Sequence, residues 1–155
     1  MYHYKVFCSA CSVAYSQGSD AQWEPLGRLV LDSAYEACLW VAVMEACRWD
    51  AQGGSGSVVL SLLGGGVFGN PMEWIADAMA RALHEVAIKE DVALDVVINS
   101  FSNAVPRPIQ RVVTHFNGQS EGGGQRGKDR GGWRAGDKRK LEDDGIEASV
   151  GHVKA

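Results

Sequence analysis

Glycine occupies four of the six positions in Gly64-Gly65-Gly66-Val67-Phe68-Gly69, a segment that lies between an apolar run and a helical pattern. Glycine has no Cβ atom, so a phosphate can approach the backbone of such a loop closely. The start of a helix adds unpaired amides and about half a unit of positive charge. Residue types and position together predict an anion site, of the kind that holds the diphosphate of a nucleotide.

The residues after this loop have the pattern of a helix start. Asn70 is suited to cap the helix, Pro71 to its first position, and Glu73 to the capping-box position. Before the loop, residues 57–63 are almost continuously apolar, which is typical of a parallel strand covered on both faces. We therefore expect the loop at the carboxyl end of a buried strand, where open α/β sheets bind ligands.

The loop also limits the phosphate chemistry. The pattern of P-loop NTPases requires Lys followed by Ser or Thr after its last glycine, and Asn70 and Pro71 stand there instead. The spacing Gly-x-Gly-x-x-Gly fits a dinucleotide site, but such a site needs an acidic residue about 20 residues on, at the end of the next strand. The predicted strand ends with Ile98-Asn99-Ser100, which is roughly 30 rather than 20 residues after the loop, and its acidic residue, Asp95, lies near its beginning. A nicotinamide-dependent enzyme is therefore an alternative.

Hydrophobic periodicity predicts three strands that alternate with helices. The strands are expected at 5–13, 57–63 and 93–101, and the helices at 23–47, 71–89 and 106–116. This order predicts an α/β domain over residues 1–117 with a mainly parallel sheet. Three strands make a small sheet, incomplete at its N-terminal side, so self-association or a partner chain that completes it is also considered.

Three segments resemble macro domains, a family that binds ADP-ribose. Residues 62–71, Leu-Leu-Gly-Gly-Gly-Val-Phe-Gly-Asn-Pro, are similar to the second phosphate loop of that family. Residues 6–15 resemble the preceding strand and turn, and residues 35–39 the helix that follows it. The resemblance spans residues 4–103, which correspond to the C-terminal two thirds of a macro domain.

This resemblance implies a three-layer macro-like fold that binds ADP-ribose or an ADP-ribosylated protein. The loop amides would hold the diphosphate, Phe68 would pack on the distal ribose, and Phe101 would stack near the adenosine. The predicted ligand-binding set is Gly64, Gly65, Gly66, Val67, Phe68, Gly69, Asn70 and Phe101. The family's earlier Asn-Ala-Asn segment has no counterpart here, so no catalytic residue is assigned. An ADP-ribosyl hydrolase is kept as an alternative to a binding module.

The four cysteines are expected to be free thiols. Cys8 and Cys11 have a CxxC spacing, but Cys38 and Cys47 do not form a second close pair, so neither a metal nor a cofactor is predicted. Residues 1–5 do not begin a secretory signal, and no apolar run reaches the ~20 residues that span a bilayer. These features predict a cytoplasmic or nuclear protein without a membrane segment.

Residues 118–155 are predicted to be a disordered tail that is rich in Gly, Arg and Lys. Residues 126–140 contain seven Lys and Arg against two Asp, whereas the chain as a whole has a net charge of -4. The segment 125–134 resembles a degenerate Arg-Gly-Gly element, which favours a weak RNA contact. A non-catalytic interaction protein is therefore the third functional alternative.

Overall fold

The computed structural model describes residues 4–49, 57–90, 92, 94–100, 104–120 and 149–154. Helix α1 spans Asp20–Trp49, α2 spans Met72–Ala82 and α3 spans Arg107–Ser120; strands β1, β2 and β3 span Ser57–Ser61, Asp95–Asn99 and Ser149–Lys154. A π-helical segment, Leu83–Ile88, continues α2. A short 3₁₀ turn, Val13–Tyr15, precedes α1. The three predicted helices and the strands predicted at 57–63 and 93–101 are thus confirmed, with shifted ends.

The sheet has the order β1-β2-β3. Strands β1 and β2 are parallel, with Ser57 opposite Asp95 and Ser61 opposite Asn99. Since α2 and its extension connect these strands, they form the βαβ unit that the alternating pattern predicts. Strand β3 is antiparallel to β2. The described sheet therefore contains one parallel and one antiparallel pair.

The core lies between the helices and one face of the sheet. Leu60, Val96 and Ile98 point to this face and are buried, together with apolar residues of all three helices. On the opposite face of β1, Val59 is 67% exposed. The described helices thus cover one face, and the predicted three-layer arrangement is not seen in the described residues. The apolar run at 57–63 predicted a strand covered on both faces, but only Leu60 of β1 is buried.

The strand predicted at 5–13 is wrong. Residues 4–12 form neither strand nor helix, although their small and β-prone side chains favour a strand. Instead of pairing with the sheet, the segment lies along α1 and the glycine loop. The backbone amide of Ala14, just after it, donates to the Phe68 carbonyl over 2.9 Å. Cys8, within it, contacts α1 at Ala34.

The region predicted to be a disordered tail contains two described segments. Helix α3 extends to Ser120, and Ser149–Lys154 form β3. For the rest of 118–155 the disordered tail stays a prediction. An unpaired β2 edge offers backbone donors and acceptors, which β3 satisfies. The segment 121–148, including the Arg-Gly-Gly element, lies outside the described residues. Within the described part of the chain, none of the helices has the length and apolarity required to cross a membrane.

Candidate functional site

The glycine loop connects β1 to α2 through two successive turns. The amide of Gly65 donates to the Leu62 carbonyl over 3.1 Å, and the amide of Gly69 donates to the Gly66 carbonyl over 3.0 Å. Gly64 and Gly69 have φ angles of 74° and 69°, a left-handed conformation that is costly for residues with a Cβ atom. The loop follows the carboxyl end of β1, where the sequence predicted it.

Gly64 and Gly69 are required by packing within the protein, and Gly65 lies against the flexible end of Met72. A Cβ atom on Gly64 would lie 2.5 Å from Cβ of Ala10, and one on Gly69 would lie 2.7 Å from Cβ of Ala14. A Cβ on Gly65 would lie 2.4 Å from Met72. The glycine density that the sequence analysis attributed to a ligand is therefore largely explained by the close approach of residues 10–14 and α2.

Asn70 clamps the N-terminal segment to the loop. Its side chain is 3% exposed, and Nδ2 donates to the Cys11 carbonyl over 2.7 Å and to the Gly64 carbonyl over 3.3 Å. The expected capping role is wrong, because Pro71 occupies the cap position and no side chain bonds the first turn of α2. The buried Oδ1 has no hydrogen-bond partner among the described residues and approaches Gly27 of α1. Asn70 is thus a structural residue, turned away from the exposed side of the loop.

Three consecutive loop amides have no hydrogen-bond partner among the described residues. Gly66, Val67 and Phe68 are exposed, and their backbone N–H groups have no hydrogen-bond partner in the described part of the chain. A Cβ atom on Gly66 would meet nothing within 4 Å. Of the five amides that the macro-domain resemblance assigns to a diphosphate, these three are available, whereas those of Gly65 and Gly69 close the two turns.

A groove between α2 and α3 begins at the same end of the sheet. It is a shallow, open groove of about 760 Å³, and its lining includes Arg107, Arg111 and His115 of α3 and Glu73 of α2. Arg107 and Arg111 are exposed, are four residues apart on one helix, and have no ion pair among the described residues. The sequence analysis missed these two arginines, although their i, i+4 spacing after the last parallel strand was a visible signal.

Asp95 is poorly placed for the nicotinamide alternative. It stands opposite Ser57 at the amino ends of the two parallel strands, and Ser57 Oγ donates to its carboxylate over 3.3 Å. The glycine loop follows the carboxyl ends, about 13 Å away at ~3.3 Å per strand residue. Asp95 therefore does not supply the ribose-binding carboxylate of a dinucleotide site.

Phe101, the predicted adenosine-stacking residue, lies outside the described residues, and its role stays a prediction. Ser100, immediately before it, is buried at the carboxyl end of β2. In the described ranges, the His, Cys, Asp and Glu side chains form no group of three that could hold a metal ion. Comparisons with protein-family models, with curated proteins and with solved structures find no match to this chain.

Proposed function

We propose that the chain is a binding module for a nucleotide diphosphate, with ADP-ribose as the first ligand to test. The observation that supports this proposal is a run of three exposed residues, Gly66, Val67 and Phe68, whose amides have no hydrogen-bond partner among the described residues. Adjacent backbone amides with no internal partner form hydrogen bonds to phosphate oxygens readily, since the acceptor is charged. The N-terminus of α2 follows within four residues and favours the same negative charge.

The α3 arginines would supply the compensating charge. Arg107 and Arg111 line the groove that Glu73 of α2 shares, and neither is neutralised by a carboxylate in the described residues. A guanidinium group binds phosphate oxygens in a bidentate geometry. Glu73 lines the same groove and would oppose an anion there.

The preference for ADP-ribose over other diphosphates rests on the macro-domain resemblance. Phe68 is 38% exposed, so its ring is accessible to a ribose face, as that resemblance implies. The hydrolase alternative needs a catalytic group that the described residues do not identify. Binding without catalysis is therefore the simpler proposal.

Calorimetry on the purified full chain tests the proposal with ADP-ribose, ADP and adenosine. We expect ADP-ribose and ADP to bind and adenosine to bind at least tenfold more weakly, because it has no phosphate. Gly66→Ala should keep the fold, since its Cβ enters open space, yet weaken ADP-ribose binding by obstructing the phosphate. Val67→Ala is the matched control, because it trims an exposed side chain and keeps the amide.

A second pair of variants tests the charge. The double variant Arg107→Ala/Arg111→Ala should bind ADP-ribose about tenfold or more weakly, which corresponds to ~1.4 kcal/mol. Arg48→Ala removes a cation from the far end of α1, where Arg48 pairs with Glu45, and should leave binding unchanged. A folded wild-type chain that releases no heat with millimolar ADP-ribose or ADP would contradict the proposal.

A further inference from the structure

Two of the four cysteines lie side by side, although they are distant in sequence. Cys8 Sγ lies 3.8 Å from Cys38 Sγ, and the residues are 30 positions apart. Cys8 Sγ also lies 3.9 Å from the carbonyl of Ala34, one helical turn before Cys38 on α1. The Cys8 side chain is therefore directed at this part of the α1 surface.

The surroundings of the pair allow the two sulfur atoms to come closer. A disulfide bond joins sulfurs at about 2.05 Å, so the gap must shorten by less than 2 Å. Cys8 belongs to the segment 4–12, which has neither helical nor strand hydrogen bonds, and its neighbours Phe7 and Ser9 are exposed. Cys38 is held in the middle of α1. The segment can therefore move toward a fixed helix without breaking sheet or helix structure.

Both thiols are accessible to a small oxidant, since both side chains are only half-buried. Two causes raise the pKa of Cys38 to about 11: burial of the thiol, which is the larger, and the neighbouring Cys8. The Cys38 thiolate is therefore scarce at neutral pH, so within this pair we assign the first reaction with a peroxide to Cys8.

We propose that Cys8 and Cys38 are a modification site at which a peroxide produces an intramolecular disulfide bond. The Cys8 thiolate attacks one oxygen of hydrogen peroxide and the O–O bond breaks, so that Cys8 becomes a sulfenic acid and hydroxide leaves; the hydroxide takes up the proton that the Cys8 thiol lost and becomes water. The Cys38 sulfur then attacks the Cys8 sulfur, the S–O bond breaks and a second water leaves. The two sulfurs lose two electrons to the peroxide, and both thiol protons end in water.

This bond would fasten the N-terminal segment to α1. The same segment is bonded to the glycine loop through the Cys11 carbonyl and the Ala14 amide. In the reduced chain, non-covalent contacts hold residues 4–15 over the loop; besides these two hydrogen bonds they include the buried side chains of Ala10 and Val13. In the oxidised chain a covalent link holds the segment in addition, independently of any ligand at the loop.

The test is oxidation of the purified, reduced full chain with hydrogen peroxide, followed by intact-mass measurement and non-reducing peptide mapping. We expect the loss of two hydrogen atoms per chain and a linked peptide pair that contains Cys8 and Cys38. Reduction with a thiol should restore the starting mass. Cys8→Ser and Cys38→Ser should each abolish the linked pair.

Two matched variants separate this pair from the other thiols. Cys11→Ser removes the CxxC partner of Cys8, and Cys47→Ser removes the exposed cysteine of α1; both should form the Cys8–Cys38 link as the wild type does. A link between Cys8 and Cys11, a disulfide-bonded dimer, or sulfinic acid at Cys8 without any link would overturn the proposal. Circular dichroism of each variant confirms that it is folded before oxidation.

Discussion

Replacing Asn70 with alanine should destabilise the protein by about 2 kcal/mol, because a typical hydrogen bond contributes ~1 kcal/mol and an orphaned carbonyl costs ~1–3 kcal/mol. The variant loses the Nδ2 bonds to the carbonyls of Cys11 and Gly64, at 2.7 and 3.3 Å. Gly64 keeps the bond from the Asn70 amide at 2.9 Å, so only Cys11 is orphaned. The unpaired Oδ1 also disappears, which offsets part of the loss.

Urea unfolding followed by tryptophan fluorescence measures this change. With a urea slope of ~1–3 kcal/mol/M for a small domain, the midpoint should fall by about 1 M. Asn70→Asp is the informative control, since it keeps the side-chain volume but points carboxylate oxygens at both carbonyls. We expect it to be less stable than Asn70→Ala at pH 7 and to recover below about pH 4, where a protonated carboxyl can donate. If Asn70→Asp is as stable as the wild type at pH 7, the clamp is not what holds the loop.

Gly69→Ala should destabilise the protein by about 1–3 kcal/mol, because the residue has a positive φ and its new Cβ would meet Ala14. Gly66→Ala should change the stability by less than ~0.5 kcal/mol, since its Cβ enters open space. Equal urea midpoints for the two variants would contradict the packing explanation. Ile98→Ala should cost ~2–5 kcal/mol, since its side chain is fully buried in the core, and a smaller loss of thermal stability would place it outside that core. Burial raises the pKa of Tyr35, whose hydroxyl donates to the Ser61 carbonyl and accepts from the Leu63 amide. As the pH rises above ~10, the tyrosine of the unfolded chain loses its proton before that of the folded chain, so the free energy of unfolding falls. In Tyr35→Phe the alkaline fall, measured by urea unfolding at several pH values, should be shallower; an identical slope would exclude Tyr35 as its source.

The helices and the loop could be predicted because their signals are local. Helix α1 has apolar residues at three- and four-residue steps, and the loop is marked by its glycines and by Pro71. These signals depend on neighbours in sequence, so they do not need the tertiary structure. The parallel pairing of β1 with β2 follows from the intervening helix in the same way.

The remaining features depend on contacts between distant residues. Residues 5–13 have the composition of a strand, but whether they pair with a sheet or pack on a loop depends on which partner is near. Similarly, β3 joins β2 from more than forty residues beyond it. The position of the loop could be predicted from the sequence. Which of its amides lack a hydrogen bond could not, because the amides of Gly65 and Gly69 are bonded within turns that depend on the three-dimensional structure.

The separation of β3 from β2 has a consequence for how the chain matures. The ribosome makes β1, α2 and β2 before Ser149–Lys154, so until that segment is made β2 has, among the described strands, only β1 beside it. Closing so long a span is slow compared with forming a helix. Through that interval the nascent domain carries an open strand edge that foreign strands can occupy, and chaperones that shield such edges would raise its folding yield.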